Sequence, residues 1–130
     1  EELRRRGHEF GATTGRPRRT GWIDLPALKY TIMLNGVTQL VMTKADVLNG
    51  FEEIQTCEAY RINNTVTTDV PYDLCRVHID PVLHTIKGWQ QQGLDLPAEL
   101  QQYIEYLELK LESPISIVSL GPERDATLFR

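Results

Sequence analysis

A chain of 130 residues, 41% apolar and 25% charged, has the size and composition of one globular domain with a core of its own. It holds no apolar run near the roughly 18 residues that a membrane span requires and opens on no secretory signal. Its net charge of −4 is uneven: residues 1–19 carry six arginines against three glutamates, while the remainder is acidic by seven charges. A basic entrance on an acidic body argues for a local anion site and against a surface that coats nucleic acid. Cys57 and Cys75 share no short motif and are expected as reduced, partly buried thiols. His8, His78 and His84 show no metal-ligand spacing with them.

The first signal along the chain is Gly11-Ala12-Thr13-Thr14-Gly15-Arg16-Pro17-Arg18-Arg19-Thr20-Gly21-Trp22, with almost nothing apolar before Trp22. Such a tract cannot bury itself. Backbone amides, hydroxyls and guanidinium forks set so closely suit a carboxylate or phosphate, which arginine grips through two parallel hydrogen bonds. A solvated basic loop is the alternative. The chain opens on Glu1-Glu2-Leu3-Arg4 without an initiator methionine and places this loop close to its start, so it reads as a fragment.

Asp24-Leu25-Pro26 has the form of a helix start, a capping Asp with Pro in the first turn, and Asn35-Gly36 of its stop. Residues 37–43 are β-branched and apolar and predict a short buried strand ending on Thr43-Lys44-Ala45-Asp46. Asn49-Gly50 marks a turn. A second extended segment is expected over 52–62, with Ile54, Thr56, Tyr60 and Ile62 on one face, and Asn63-Asn64 turning it into a hairpin with Thr65-Val66-Thr67. Residues 69–93, punctuated by Pro71, Pro81, Gly88 and Gly93, are expected to be irregular. Over 97–112, Leu100, Ile104, Leu107 and Leu111 form an amphipathic helical stripe. A short apolar strand, Ile115-Ser116-Ile117-Val118, then ends on Ser119-Leu120-Gly121-Pro122. The order predicts an α/β layer arrangement with two short strands emptying into polar loops, where open α/β sheets bind their ligands.

Lys44-Ala45-Asp46 suits guanine. One carboxylate can accept from the base's N1–H and its exocyclic amine together, a donor pair that adenine lacks, while the lysine stem lies over the purine face. Taken alone, Lys-x-Asp is equally a surface loop. Ser119, Leu120 and Gly121 let backbone amides approach a flat ligand, and taken alone are equally a turn.

In this order the three segments resemble the carboxyl-terminal portion of the adenylosuccinate synthetase family. The resemblance spans nearly the whole chain and rests on 11–22, on Thr43-Lys-Ala-Asp-Val-Leu-Asn-Gly50, on Cys57-Glu-Ala-Tyr60 and on 115–124. It implies a mostly parallel, P-loop-NTPase-like architecture and a cytoplasmic, homodimeric ligase of purine biosynthesis. That enzyme joins IMP to L-aspartate at the expense of GTP, with magnesium. By motif position, Ala12, Thr13, Thr14, Gly15, Arg16, Pro17 and Arg18 form the loop that closes on aspartate. Arg16 also contacts IMP and Arg18 reaches GTP. Lys44, Ala45 and Asp46 hold the guanine, and Ser119, Leu120 and Gly121 line its other edge. The family's phosphate loop, catalytic Asp and His, and the partner subunit's arginine have no counterpart here, so no catalytic acid, base or metal ligand is assigned and the chain is expected to be inactive alone. Ala45 stands where the family often has Leu, which changes packing but no hydrogen-bonding group.

A reading from another class is a free-standing anion- or nucleotide-binding interaction module. Against a nucleic-acid partner stand the acidic body and the scarcity of aromatics beside the arginines, where only Phe10 and Trp22 lie close. Neither reading involves a membrane.

Overall fold

The amphipathic stripe of the last helix organises the core. In a computed structural model describing residues 1–130, helix α3 (Ala98–Leu111) buries Leu100, Ile104, Leu107 and Leu111, with Tyr103 beside them. The helix numbering begins with a single turn, α1 (Glu2–Arg6), followed by α2 (Leu25–Asn35). The strands are β1 (Ile23–Asp24), β2 (Leu40–Met42), β3 (Glu53–Ile62), β4 (Thr65–Thr67), β5 (Asp80–Lys87), β6 (Ile115–Ser119) and β7 (Thr127–Phe129). Leu25 and Ile32 of α2, Ile54 of β3, Trp89, and Ile115 and Val118 of β6 close around the stripe in one apolar cluster. No helix is long and apolar enough to cross a membrane.

Helix α2 begins and ends where its residues dictate. The Asp24 carboxylate accepts from the Ala27 amide at 3.1 Å, Pro26 sits in the first turn, and Gly36 takes the left-handed conformation, φ 58°, that ends the helix. Asn63 and Asn64, at φ 48° and 66°, make the two-residue turn between β3 and β4.

The strands form two mixed sheets. In one, β3 pairs parallel with β1 and antiparallel with β4 and β5; in the other, β6 pairs parallel with β2 and antiparallel with β7. A mostly parallel sheet is therefore not what these residues build. Connection length explains it: a two-residue turn reverses β3 into β4, and a 3₁₀ turn (Arg124–Ala126) precedes β7, whereas β2 and β6 are separated by a long crossover that includes α3.

Further expectations change. The strand expected to be buried over 37–43 is confined to Leu40–Met42, with Val41 exposed. Residues 80–87 form an eight-residue strand, not irregular chain, because Pro81 stands near the start of an edge strand, where its missing N–H costs the ladder little. The strict alternation expected over 52–62 breaks at a β-bulge between Cys57 and Ala59, so Cys57, Ala59 and Tyr60 are buried along with Ile54 and Thr56. Gly88 allows the chain beyond β5 to cross residues 51–52: an added Cβ would stand 1.8 Å from the Phe51 carbonyl oxygen.

Candidate nucleotide-facing site

Parallel pairing of β2 with β6, in register at Met42 and Val118, aims both carboxyl ends the same way. Residues 43–46 and 119–121 thus leave one edge of one sheet, as the strand order predicts. Lys44 enters the left-handed region at φ 59° and turns the chain into a short 3₁₀ helix (Ala45–Leu48). Ala45 is buried in the core and Asp46 is half-buried. At the other strand end, the Ser119 hydroxyl donates to the Gly121 carbonyl at 2.9 Å, and the buried Leu120 is fixed by its amide to the Ala126 carbonyl at 2.8 Å.

Asn49, legible in the sequence only as a turn residue, and Gln91, which carried no signal, tie these loops together. Asn49 and Gln91 form a reciprocal pair: the Gln91 amide donates to Asn49 Oδ1 at 2.7 Å, and Asn49 Nδ2 donates to the Gln91 carbonyl at 3.1 Å. Gln91 Nε2 also reaches the Leu120 carbonyl at 3.3 Å. The tract holding Gln91 had offered only breakers, which is why its bracing role was not legible.

The arginine tract is an exposed turn closed by its own backbone. The Gly11 amide donates to the Arg16 carbonyl at 2.9 Å, and the Gly15 amide, at a residue with φ 64°, to the Gly11 carbonyl at 2.8 Å. Phe10 and Pro17 bridge below the turn, and the Arg18 amide donates to the Glu9 carbonyl at 2.9 Å. Ala12 through Arg18 all lie exposed.

Arg18 and Lys44 come together through Glu9, a residue the sequence reading counted only as charge. Glu9 Oε1 accepts from Lys44 Nζ at 2.5 Å, and Oε2 from an Arg18 guanidinium nitrogen at 3.0 Å. Lys44 Nζ donates as well to the Gly7 carbonyl at 2.8 Å. The Lys44 and Arg18 bonds hold the Glu9 carboxyl below the usual carboxylate range. These groups, with Arg19, Thr20 and Leu48, line a hollow of about 390 Å³. Residues 12–17, Asp46 and 119–121 do not line it.

A larger cavity of about 790 Å³ opens between α2, the end of α3 and residues 68–70, and is lined by Glu58 but by none of residues 12–18, 44–46 and 119–121. Its two lysines are paired, Lys29 with Glu112 and Lys110 with Glu58. No three of the chain's His, Cys, Asp and Glu side chains converge as metal ligands. Cys57 is buried, and burial pushes its thiol above the ordinary range, whereas Cys75 is a free, exposed thiol.

By fold and site this is an α/β chain of the kind that gathers polar loops at strand ends, with a cation-lined hollow beside them. Comparison with known proteins makes the assignment specific. The family model for adenylosuccinate synthetase matches residues 1–128, and the chain belongs to that family. It is 50% identical to the adenylosuccinate synthetase of Cytophaga hutchinsonii and 45% identical to that of Christiangramia forsetii, in each case over the whole chain and 32% of the relative. The fully ligated adenylosuccinate synthetase structure from Plasmodium falciparum superposes with a TM-score of 0.90 at 32% identity, covering 99% of this chain and 33% of that one. The chain thus spans about a third of the length of the relatives it matches.

Proposed function

We propose that these residues supply the guanine side and the aspartate loop of a GTP-dependent ligase that joins IMP and L-aspartate to give adenylosuccinate, in AMP biosynthesis. In that reaction GTP transfers its terminal phosphoryl group to the 6-oxygen of IMP, leaving GDP. The amine of aspartate then attacks C6, and phosphate departs with the oxygen. Asp46 accepts from the guanine base while the Lys44 stem covers its face, and Ser119, Leu120 and Gly121 line the opposite edge. Arg18 reaches GTP. The loop of Ala12, Thr13, Thr14, Gly15, Arg16, Pro17 and Arg18 closes on the aspartate carboxylates, with Arg16 contacting IMP as well.

The observation that carries this reading is the parallel β2–β6 pair, which sends two segments of separate sequence origin, 43–46 and 119–121, off one sheet edge. On this reading magnesium, the phosphate loop and the catalytic acid and base are supplied by the remainder of such an enzyme, as are the rest of its P-loop-NTPase-like sheet and the homodimer contacts, and the 130 residues alone are expected to show no turnover. A cytoplasmic enzyme is the reading that fits this substrate set.

Calorimetric titration of the chain with GDP and with ADP tests the assignment. GDP should bind with at least about tenfold preference, the size of effect expected when a buried-edge carboxylate loses two donors. A chain that binds ADP as tightly as GDP contradicts it.

A further inference from the structure

The geometry points to Glu9 as a positioning residue for the nucleotide: one carboxylate, bonded to Lys44 through Oε1 and to Arg18 through Oε2, sets the separation of two cations that arrive on different elements. This rests on the GTP reading above and extends it to a residue that contacts neither base nor phosphate there. Lys44 comes from the end of β2, whereas Arg18 comes from the far arm of the arginine turn. No other residue is bonded to both side chains. The stem that carries Glu9 is itself held, since its carbonyl accepts the Arg18 amide at 2.9 Å and the neighbouring Gly7 carbonyl accepts Lys44 Nζ at 2.8 Å. Arg4 Nε donates to the Arg18 carbonyl at 2.7 Å, so the backbone behind the guanidinium is held from both sides.

Stability is not what this carboxylate supplies. The Arg18 and Lys44 side chains are 59% and 54% exposed, and ion pairs so open to water add little to folding. Their value lies in pre-setting side chains that otherwise sample many rotamers, so that a ligand meets them already placed. Glu9 is the least exposed of the three at 23%, as suits the fixed member of the set.

Charge alone predicts the opposite sign. Neutralising an acid beside a site for a polyanion makes the site more positive and should tighten GTP. The test is therefore steady-state kinetics of Glu9→Gln in a full-length synthetase carrying residues 1–130 as its matching third. Positioning predicts that KM for GTP rises about tenfold, with a smaller change in kcat and with KM for IMP and the melting temperature close to the parent values. Glu9→Asp keeps the charge but, one methylene shorter, reaches one partner at a time and should fall between the two. An unchanged or lowered KM for GTP in Glu9→Gln overturns the inference, and so does a loss shared equally by IMP binding and thermal stability. Asp46→Asn is run beside it: intact selectivity for GTP over ATP in that variant rejects the guanine reading itself, whereas lost selectivity with an inert Glu9→Gln rejects the role of Glu9 alone.

Discussion

Glu58 shows how a single residue on the far side of the molecule acquires a charge-dependent role. It is the extra residue at the β3 bulge, and its carboxylate accepts from Lys110 Nζ and from the Tyr106 hydroxyl, each at 2.8 Å. Those bonds hold its carboxyl below the usual range. Because the folded value is depressed, the contribution to stability is present above the unfolded value near 4.5 and is lost as pH falls through the folded one. Melting curves between pH 6 and pH 3 should therefore show the parent more stable than Glu58→Gln at the upper end, with the gap closing at about pH 4.5 and below. A constant gap would detach Glu58 from the acid response. At the alkaline end the sign reverses: burial and the Glu58 carboxylate raise the Tyr106 phenol to about 12, so its contribution fades as pH climbs through that value.

At the scale of elements, α2 was legible and β5 was not, for opposite physical reasons. Asp24, Pro26 and Gly36 act locally, so their sequence positions suffice to bound a helix. Pro81 acts through its neighbours, and its tolerance in β5 depends on β5 being an edge, which no local window reveals. The β3 bulge is likewise a property of pairing with β5. The structure also explains why Cys57-Glu-Ala-Tyr60 stood out. The buried Tyr60 hydroxyl donates to both Asp24 oxygens, at 2.7 and 2.8 Å, so the same carboxylate caps α2 and ties it to β3. Asp24→Ala removes the cap, about 1 kcal/mol, and strands a buried hydroxyl, a further 1–3 kcal/mol or so. Tyr60→Phe removes only the bond. In urea denaturation the double variant should be less destabilised than the sum of the singles, by about 1 kcal/mol or more. Strict additivity would mean that the pair does not couple.

Over the whole molecule, the parts of the candidate site that can be proposed from sequence are those built from consecutive residues: the arginine turn, Lys44 to Asp46, and Ser119 to Gly121. What joins them was not legible. Glu9 meets Lys44 across 35 positions and Gln91 meets Asn49 across 42, separations that no local sequence window spans. Connection length explains the mixed sheets, since long crossovers separate the two parallel pairs, β1 with β3 and β2 with β6, while short turns lead into β4 and β7. The family assignment follows from the match over 1–128. The guanine role of the β2 end is the claim on which the functional account turns, and kcat/KM for GTP against ATP in Asp46→Asn tests it most directly. In a full-length synthetase carrying these residues, the account predicts that the preference for GTP falls by at least about tenfold, the worth of a charge-assisted hydrogen bond. A ratio equal to that of the parent would contradict it.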